Sequence, residues 1–148
     1  MFNYQISPES FANQILMTAN VADEIVVNPD ELAMSLFHMK VIYSDKLRVN
    51  YDDNCFEIPF KYMGNKAVER FAITLLLFKM YYSDDGKDAN TTMFDMTAAN
   101  EFISTILMPE KEFTRLYSVL TKEELAKVFG VTETFVRYRA EYLNLLNS

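Results

Sequence analysis

The chain is poor in the residues that most often carry chemistry. Its 148 residues include one cysteine, one histidine and three glycines. A single thiol, Cys55, cannot close an internal disulfide, and no basic-then-apolar leader opens the sequence, so a cytoplasmic protein is expected. Three glycines are too few for a glycine-rich loop that cradles phosphate. Zinc needs three or four N, S or O ligands, and His38, Cys55 and the scattered carboxylates show none of the usual spacings. Without a G-x-S-x-G turn, His38 also has no nucleophile to serve as base. Basic residues are few as well. Against 21 Asp and Glu stand 14 Lys and Arg, and the formal charge of −7 argues against a general nucleic-acid binder that works by neutralising phosphates. The deficit lies in residues 1–108, with 8 basic and 15 acidic side chains, whereas residues 109–148 carry 6 of each. No apolar run reaches the roughly 20 residues needed to cross a bilayer, and there is no internal repeat or low-complexity tract.

What the chain has is core. Half its residues are apolar and 12 Phe and 9 Tyr are present, enough for one folded domain and for a self-association contact besides. The stretch Lys66–Tyr82, KAVERFAITLLLFKMYY, lacks Gly and Pro. Ala67, Phe71, Leu75, Phe78 and Tyr82 recur at helical spacing, and Ile73, Leu76, Leu77 and Met80 fill most of the rest of the circumference. It reads as a central helix, buried on nearly every side and entered through Gly64-Asn65.

The remaining elements arrange themselves around it. Ser7-Pro8-Glu9 starts a helix to about Ala22 with Phe11, Ile15 and Ala19 on one face; Asn28-Pro29-Asp30-Glu31 starts a shorter one. Val41–Tyr43, Leu47–Tyr51 and Phe56–Phe60 alternate like strands, with Asp52-Asp53-Asn54 as a turn, and predict a small antiparallel sheet. Ser83–Thr92 is the most polar stretch and reads as an exposed loop. Its acids Asp84, Asp85 and Asp88 around Gly86 miss the EF-hand positions and the closing Glu, so they read as a solvated turn. Further helices run from about Asp95 to the break at Pro109, through Phe113, Leu116 and Leu120, and from Thr121 to Gly130, where Thr121 and Glu124 form a capping box. A last helix, capped by Thr132, carries Phe135, Val136, Arg139, Tyr142, Leu143 and Leu146 to the end.

The segment ELAKVFGVTETFVRYRAEYL has helix-turn-helix spacing, with small Ala126 at the crossing, Gly130 in the turn, and Val131 and Val136 locking the pair. Its second helix offers Thr134, Arg137, Tyr138 and Glu141 as candidate partner-binding residues. Glu133 and Glu141 offset the two arginines, which weakens the case for DNA as that partner.

Several segments together carry a family resemblance. Arg70-Phe71-Ala72-Ile73-Thr74 opens the core helix. Ala99-Asn100-Glu101-Phe102, Ile106-Leu107-Met108-Pro109 and the LAKVFGV pair follow, while Pro29–Ala33 and Phe56–Pro59 precede it. Over roughly residues 28–146 the chain resembles the ImmA/IrrE family of metallopeptidase-like proteins, where an R-F-T-I-A run leads into H-E-x-x-H. The resemblance implies an α+β, mostly helical, zincin-like domain, with a peptidase-like core over 1–108 and a helix-turn-helix-like part over 109–148. It also implies where the chemistry should be. The family's first His falls on Leu75, its catalytic Glu on Leu76 and its second His on Lys79. Its acidic third ligand falls near Ala98 and Ala99, with Asp95 the nearest preceding acid. Two leucines and an ammonium cannot hold zinc or activate its water. No cofactor and no catalytic residue are therefore expected, and Leu75, Leu76 and Lys79 mark vestigial positions.

Active relatives are associated with cutting helix-turn-helix repressors of phages and integrative elements. The expectation is accordingly a catalytically inactive regulator of such an element that binds another protein, a repressor being the first candidate. The alternatives are a DNA-binding regulator acting through the C-terminal pair, a metallopeptidase with an atypical site, and a self-associating structural protein.

Overall fold

The segment Lys66–Tyr82 forms one unbroken helix of 17 residues, α3. A computed structural model describes residues 7–21, 26–82 and 96–146. Its described residues form a mixed α+β fold of seven α-helices and one three-stranded sheet. In chain order these are α1 (Pro8–Thr18), α2 (Pro29–Phe37), β1 (Lys40–Ser44), β2 (Arg48–Asn50), β3 (Cys55–Pro59), α3, α4 (Met96–Leu107), α5 (Glu110–Tyr117), α6 (Lys122–Phe129) and α7 (Glu133–Tyr142).

The helix starts obey their local chemistry. The Ser10 N–H donates to Ser7 Oγ at 3.0 Å and Pro8 occupies the first turn of α1. Thr121 and Glu124 close the capping box of α6, and Thr132 Oγ1 accepts from the Phe135 N–H at 3.1 Å. The ends follow one device. Gly130, Asn20 and Asn144 all adopt positive φ, and the N–H groups of Val131, Val21 and Leu145 reach back to carbonyls five residues earlier. This corrects two boundaries. The first helix stops at Thr18 rather than near Ala22, and the last stops at Tyr142 rather than Leu146, because an asparagine can take the left-handed turn that glycine takes at position 130.

The sheet also departs from expectation. It is mixed rather than antiparallel, with order β1-β3-β2. β2 and β3 form the hairpin across the 51–54 turn, where Asn54 has φ +52. β3 then inserts between its two predecessors and runs parallel to β1, pairing Val41 with Phe56 and Tyr43 with Ile58. Burial explains the order: Cys55, Phe56, Glu57 and Ile58 are all buried, as a central strand covered on both faces must be. Phe60 leaves the strand for a 3₁₀ turn, Phe60–Tyr62.

The core centres on Phe102 of α4, whose ring lies 6.0 Å from that of Phe11 on α1 and 5.3 Å from that of Phe78 on α3. The fully buried rings of Phe102 and Phe78 each contribute about 1.5–3 kcal/mol of transfer free energy, and Phe11 is partly buried against them. Among the described residues no helix is long and apolar enough to cross a membrane. The polar stretch 83–92, its acids Asp84, Asp85 and Asp88, and Asp95 lie outside the described residues.

Candidate functional site

Leu75, Leu76 and Lys79, the positions singled out by the resemblance, lie in the second half of α3. Leu75 is 9% exposed, Leu76 0% and Lys79 2%. Residues 75 and 79 are one turn apart and share a face, as two ligands of one ion would. Leu75 and Leu76 belong to the hydrophobic core cluster with Ala72, Leu77 and Phe78, and Lys79 is a buried charged residue of the same helix. His38 is exposed at the end of α2 in a left-handed conformation, φ 57, the place of a terminating residue. Cys55 is buried at the start of β3, where burial pushes its thiol pKa up, aided by Glu57 and Asp53. Among the described residues no three His, Cys, Asp or Glu side chains gather as a metal-binding group.

The other half of α3 borders a cleft of about 510 Å³. Lys66, Glu69, Arg70 and Ile73 form one wall, the first turn of α2 with Asp30 and Glu31 another, and Lys127 with Gly130 of the α6 end a third. Glu69 accepts a hydrogen bond from the Tyr43 hydroxyl, and this bond with its carboxylate holds the phenol's pKa above the usual value. Arg70 is not free to meet a ligand. Its Nη2 donates to the Phe129 carbonyl at 3.1 Å and its Nε to the Gly130 carbonyl at 3.2 Å. A guanidinium thereby caps the carboxyl end of α6, where the helix dipole favours positive charge. Gly130 permits the approach, since a Cβ there would lie 2.8 Å from Arg70 Nε.

A second arginine does the same across the opposite seam. Arg139 of α7 is completely buried. Its Nε donates to the Met108 carbonyl at the end of α4 at 2.9 Å, and its Nη1 lies 3.4 Å from Thr105 Oγ1. Burial lowers its pKa, while Glu9 and Glu110 oppose that shift. These two arginines, one donating from the core and one from the C-terminal part, fasten residues 109–146 to the core. The spacing places Arg139 on the apolar face but says nothing of its acceptors, which lie 31 and 34 residues away.

The C-terminal pair packs as its spacing predicts, with Ala126, Val131 and Val136 buried between α6 and α7. Of the residues singled out on α7, Thr134, Arg137 and Glu141 are exposed and lie together on its outer face. Arg137 Nε donates to Glu141 Oε1 at 3.2 Å. Tyr138 is half-buried, in a ladder of rings: 5.6 Å from Phe135 and 6.5 Å from Tyr142, both nearly parallel to it. The Tyr142 phenol is pushed up to about 12 by burial and by the charges of Glu101 and Glu9. With Arg139 enclosed, the outer face of α7 offers one guanidinium against Glu133 and Glu141, a correction to the pair of arginines the sequence suggests.

No protein-family model matches the chain, and neither a curated protein nor a solved structure matches it.

Proposed function

We propose that the chain is a catalytically silent, ImmA/IrrE-like regulatory domain with a zincin-like core, acting in the cytoplasm by binding another protein. One observation carries this reading. Where an active member of that family would hold two histidines and a glutamate, this chain has Leu75, Leu76 and Lys79, all packed into the core. Leucine has no lone pair for a metal, and an ammonium repels one. Burial of each leucine adds about 1.5–3 kcal/mol of stabilisation where an active site would keep polar groups. The residues suit a scaffold better than a catalyst.

The setting implied by the resemblance, a phage or mobile element, makes a helix-turn-helix repressor the first candidate partner, engaged without cleavage. The outer face of α7, with Thr134, Arg137, Tyr138 and Glu141, is the candidate contact. DNA is the weaker partner for that face, because phosphate contacts need several cations and only Arg137 is presented there, already shared with Glu141.

The test is recovery of the full chain from its native host. Size-exclusion chromatography with light scattering should give a complex of fixed stoichiometry. Mass spectrometry should find the partner intact after incubation, and His38→Ala should leave the complex unchanged. A cleaved partner, or salt-sensitive retention on DNA without a protein partner, refutes the reading.

A further inference from the structure

The sheet has two edges, and they are guarded differently. β2 is three residues long, and its Arg48 is paired with Glu57 of β3 at 2.8 Å. Shortness and charge of this kind keep an edge from recruiting another strand. β1 is five residues long and pairs with β3 in an unbroken register from Lys40 to Ser44. It carries no proline and no bulge, and its one charge, Lys40, stands at the first position. The Lys40 N–H donates to the Asn54 carbonyl at 3.1 Å, so the backbone groups of Lys40, Ile42 and Ser44 turn towards β3. Those of Val41 and Tyr43 turn to the open side, where no strand follows among the described residues. The Tyr43 hydroxyl bonds to Glu69 of α3, so Ile42, on the opposite face of the strand, projects away from that helix. It is 42% exposed.

We propose that β1 pairs antiparallel with β1 of a second copy of this chain, about a two-fold axis at Ile42, so that the two sheets become one. In that register Val41 of each copy lies opposite Tyr43 of the other, and every outward N–H group on these residues finds a carbonyl. Ile42 meets Ile42 at the axis, a pair without hydrogen bonds whose Cα atoms lie about 4.5 Å apart. Lys40 falls opposite Ser44, so no like charges meet. The strand's own pattern selects the occupant. A foreign extended segment makes the same backbone bonds, but a second copy also matches apolar to apolar and ammonium to hydroxyl along the strand, as a two-fold contact requires. This edge stands apart from the outer face of α7 and does not depend on what binds there.

Sedimentation equilibrium of the full chain tests this. The expected result is a monomer–dimer equilibrium that Ile42→Lys weakens about tenfold or more, by setting two ammonium groups opposite each other. Val119→Lys, at a site 71% exposed between α5 and α6, should leave it unchanged. In a Cys55→Ala background, Ile42→Cys should oxidise to a covalent dimer, since about 4.5 Å lies within the Cα separation a disulfide accepts, and Val119→Cys should not. The Val41 and Tyr43 amides should exchange more slowly as the chain is concentrated. A chain that stays monomeric at every concentration overturns the proposal. So does a dimer that Val119→Lys disrupts and Ile42→Lys leaves intact, or an Ile42→Cys chain that forms no covalent dimer. Slowing of the Val41 and Tyr43 amides only on addition of host extract assigns the edge to another protein and likewise overturns it.

Discussion

Replacing Arg139 with alanine should loosen the C-terminal part from the core. The guanidinium is fully enclosed and supplies the Met108 carbonyl with a charged donor at 2.9 Å. Truncation to Ala removes two buried methylenes, about 1.6 kcal/mol at about 0.8 kcal/mol each. It also leaves a buried carbonyl without this donor, at a cost of about 1–3 kcal/mol. Releasing the guanidinium from a dry site, where Nη2 has no hydrogen-bond partner among the described residues, works in the other direction. The net loss should be about 2–3 kcal/mol. Arg139→Met keeps the stem and sheds the desolvation penalty, so it should lose no more than about 1 kcal/mol. The chain has no Trp, so urea unfolding is followed by far-UV circular dichroism. At an m-value of about 2 kcal/mol/M the alanine midpoint should fall by about 1–1.5 M. An unchanged midpoint for Arg139→Ala would refute the idea that this side chain fastens α7 to α4. A methionine variant as weak as the alanine one would show that the hydrogen bond, not the stem, holds the seam.

Two other perturbations probe the remaining ionic contacts. Gly130→Ala forces a left-handed alanine and drives a Cβ into Arg70, so both the turn and the cap of α6 suffer; a loss of about 2–4 kcal/mol in urea unfolding is expected, and one below about 1 kcal/mol would show that Arg70 moves aside without cost. Burial pushes the Glu57 carboxyl upward, but hydrogen bonds from Arg48, Asn50 and Ser44 and the Arg48 charge outweigh it, leaving the pKa below its ordinary value. A carboxyl depressed in the folded state contributes fully above its unfolded pKa, about 4.3, and loses that contribution as pH falls through the folded value. Glu57→Gln should therefore flatten the decline of stability between about pH 5 and pH 3, and parallel acid limbs for the two proteins would contradict this.

Much of the helical frame was legible because its determinants are local. Ser7-Pro8, Asn28-Pro29, Thr121 with Glu124, and Thr132 each announce a helix start within four residues, and α3 follows from periodicity alone. The sheet order was not legible, because β1 and β3 pair across an intervening strand and no short-range signal records that choice. Asn20 and Asn144 end helices in a conformation that asparagine adopts less often than glycine, so their stops passed unseen. The two anchoring arginines are less legible. Arg70 finds its acceptors 59 and 60 residues away and Arg139 finds its own 31 and 34 away, pairings that no local pattern records. The ring ladder of α7 is legible in the sequence, since 135, 138 and 142 share one helical flank, although Phe135 and Tyr142 read there as packing residues.

The central claim, that α3 is a peptidase helix whose metal-holding groups have become Leu75, Leu76 and Lys79, has a direct test. The triple substitution Leu75→His, Leu76→Glu, Lys79→His restores the family's pattern, with Asp95 the candidate third ligand. Zinc should raise the thermal midpoint of the triple variant and bind it at one equivalent by atomic emission, while the wild-type chain takes up none. Stoichiometric zinc in the wild-type chain, or a folded triple variant indifferent to zinc, would contradict the account.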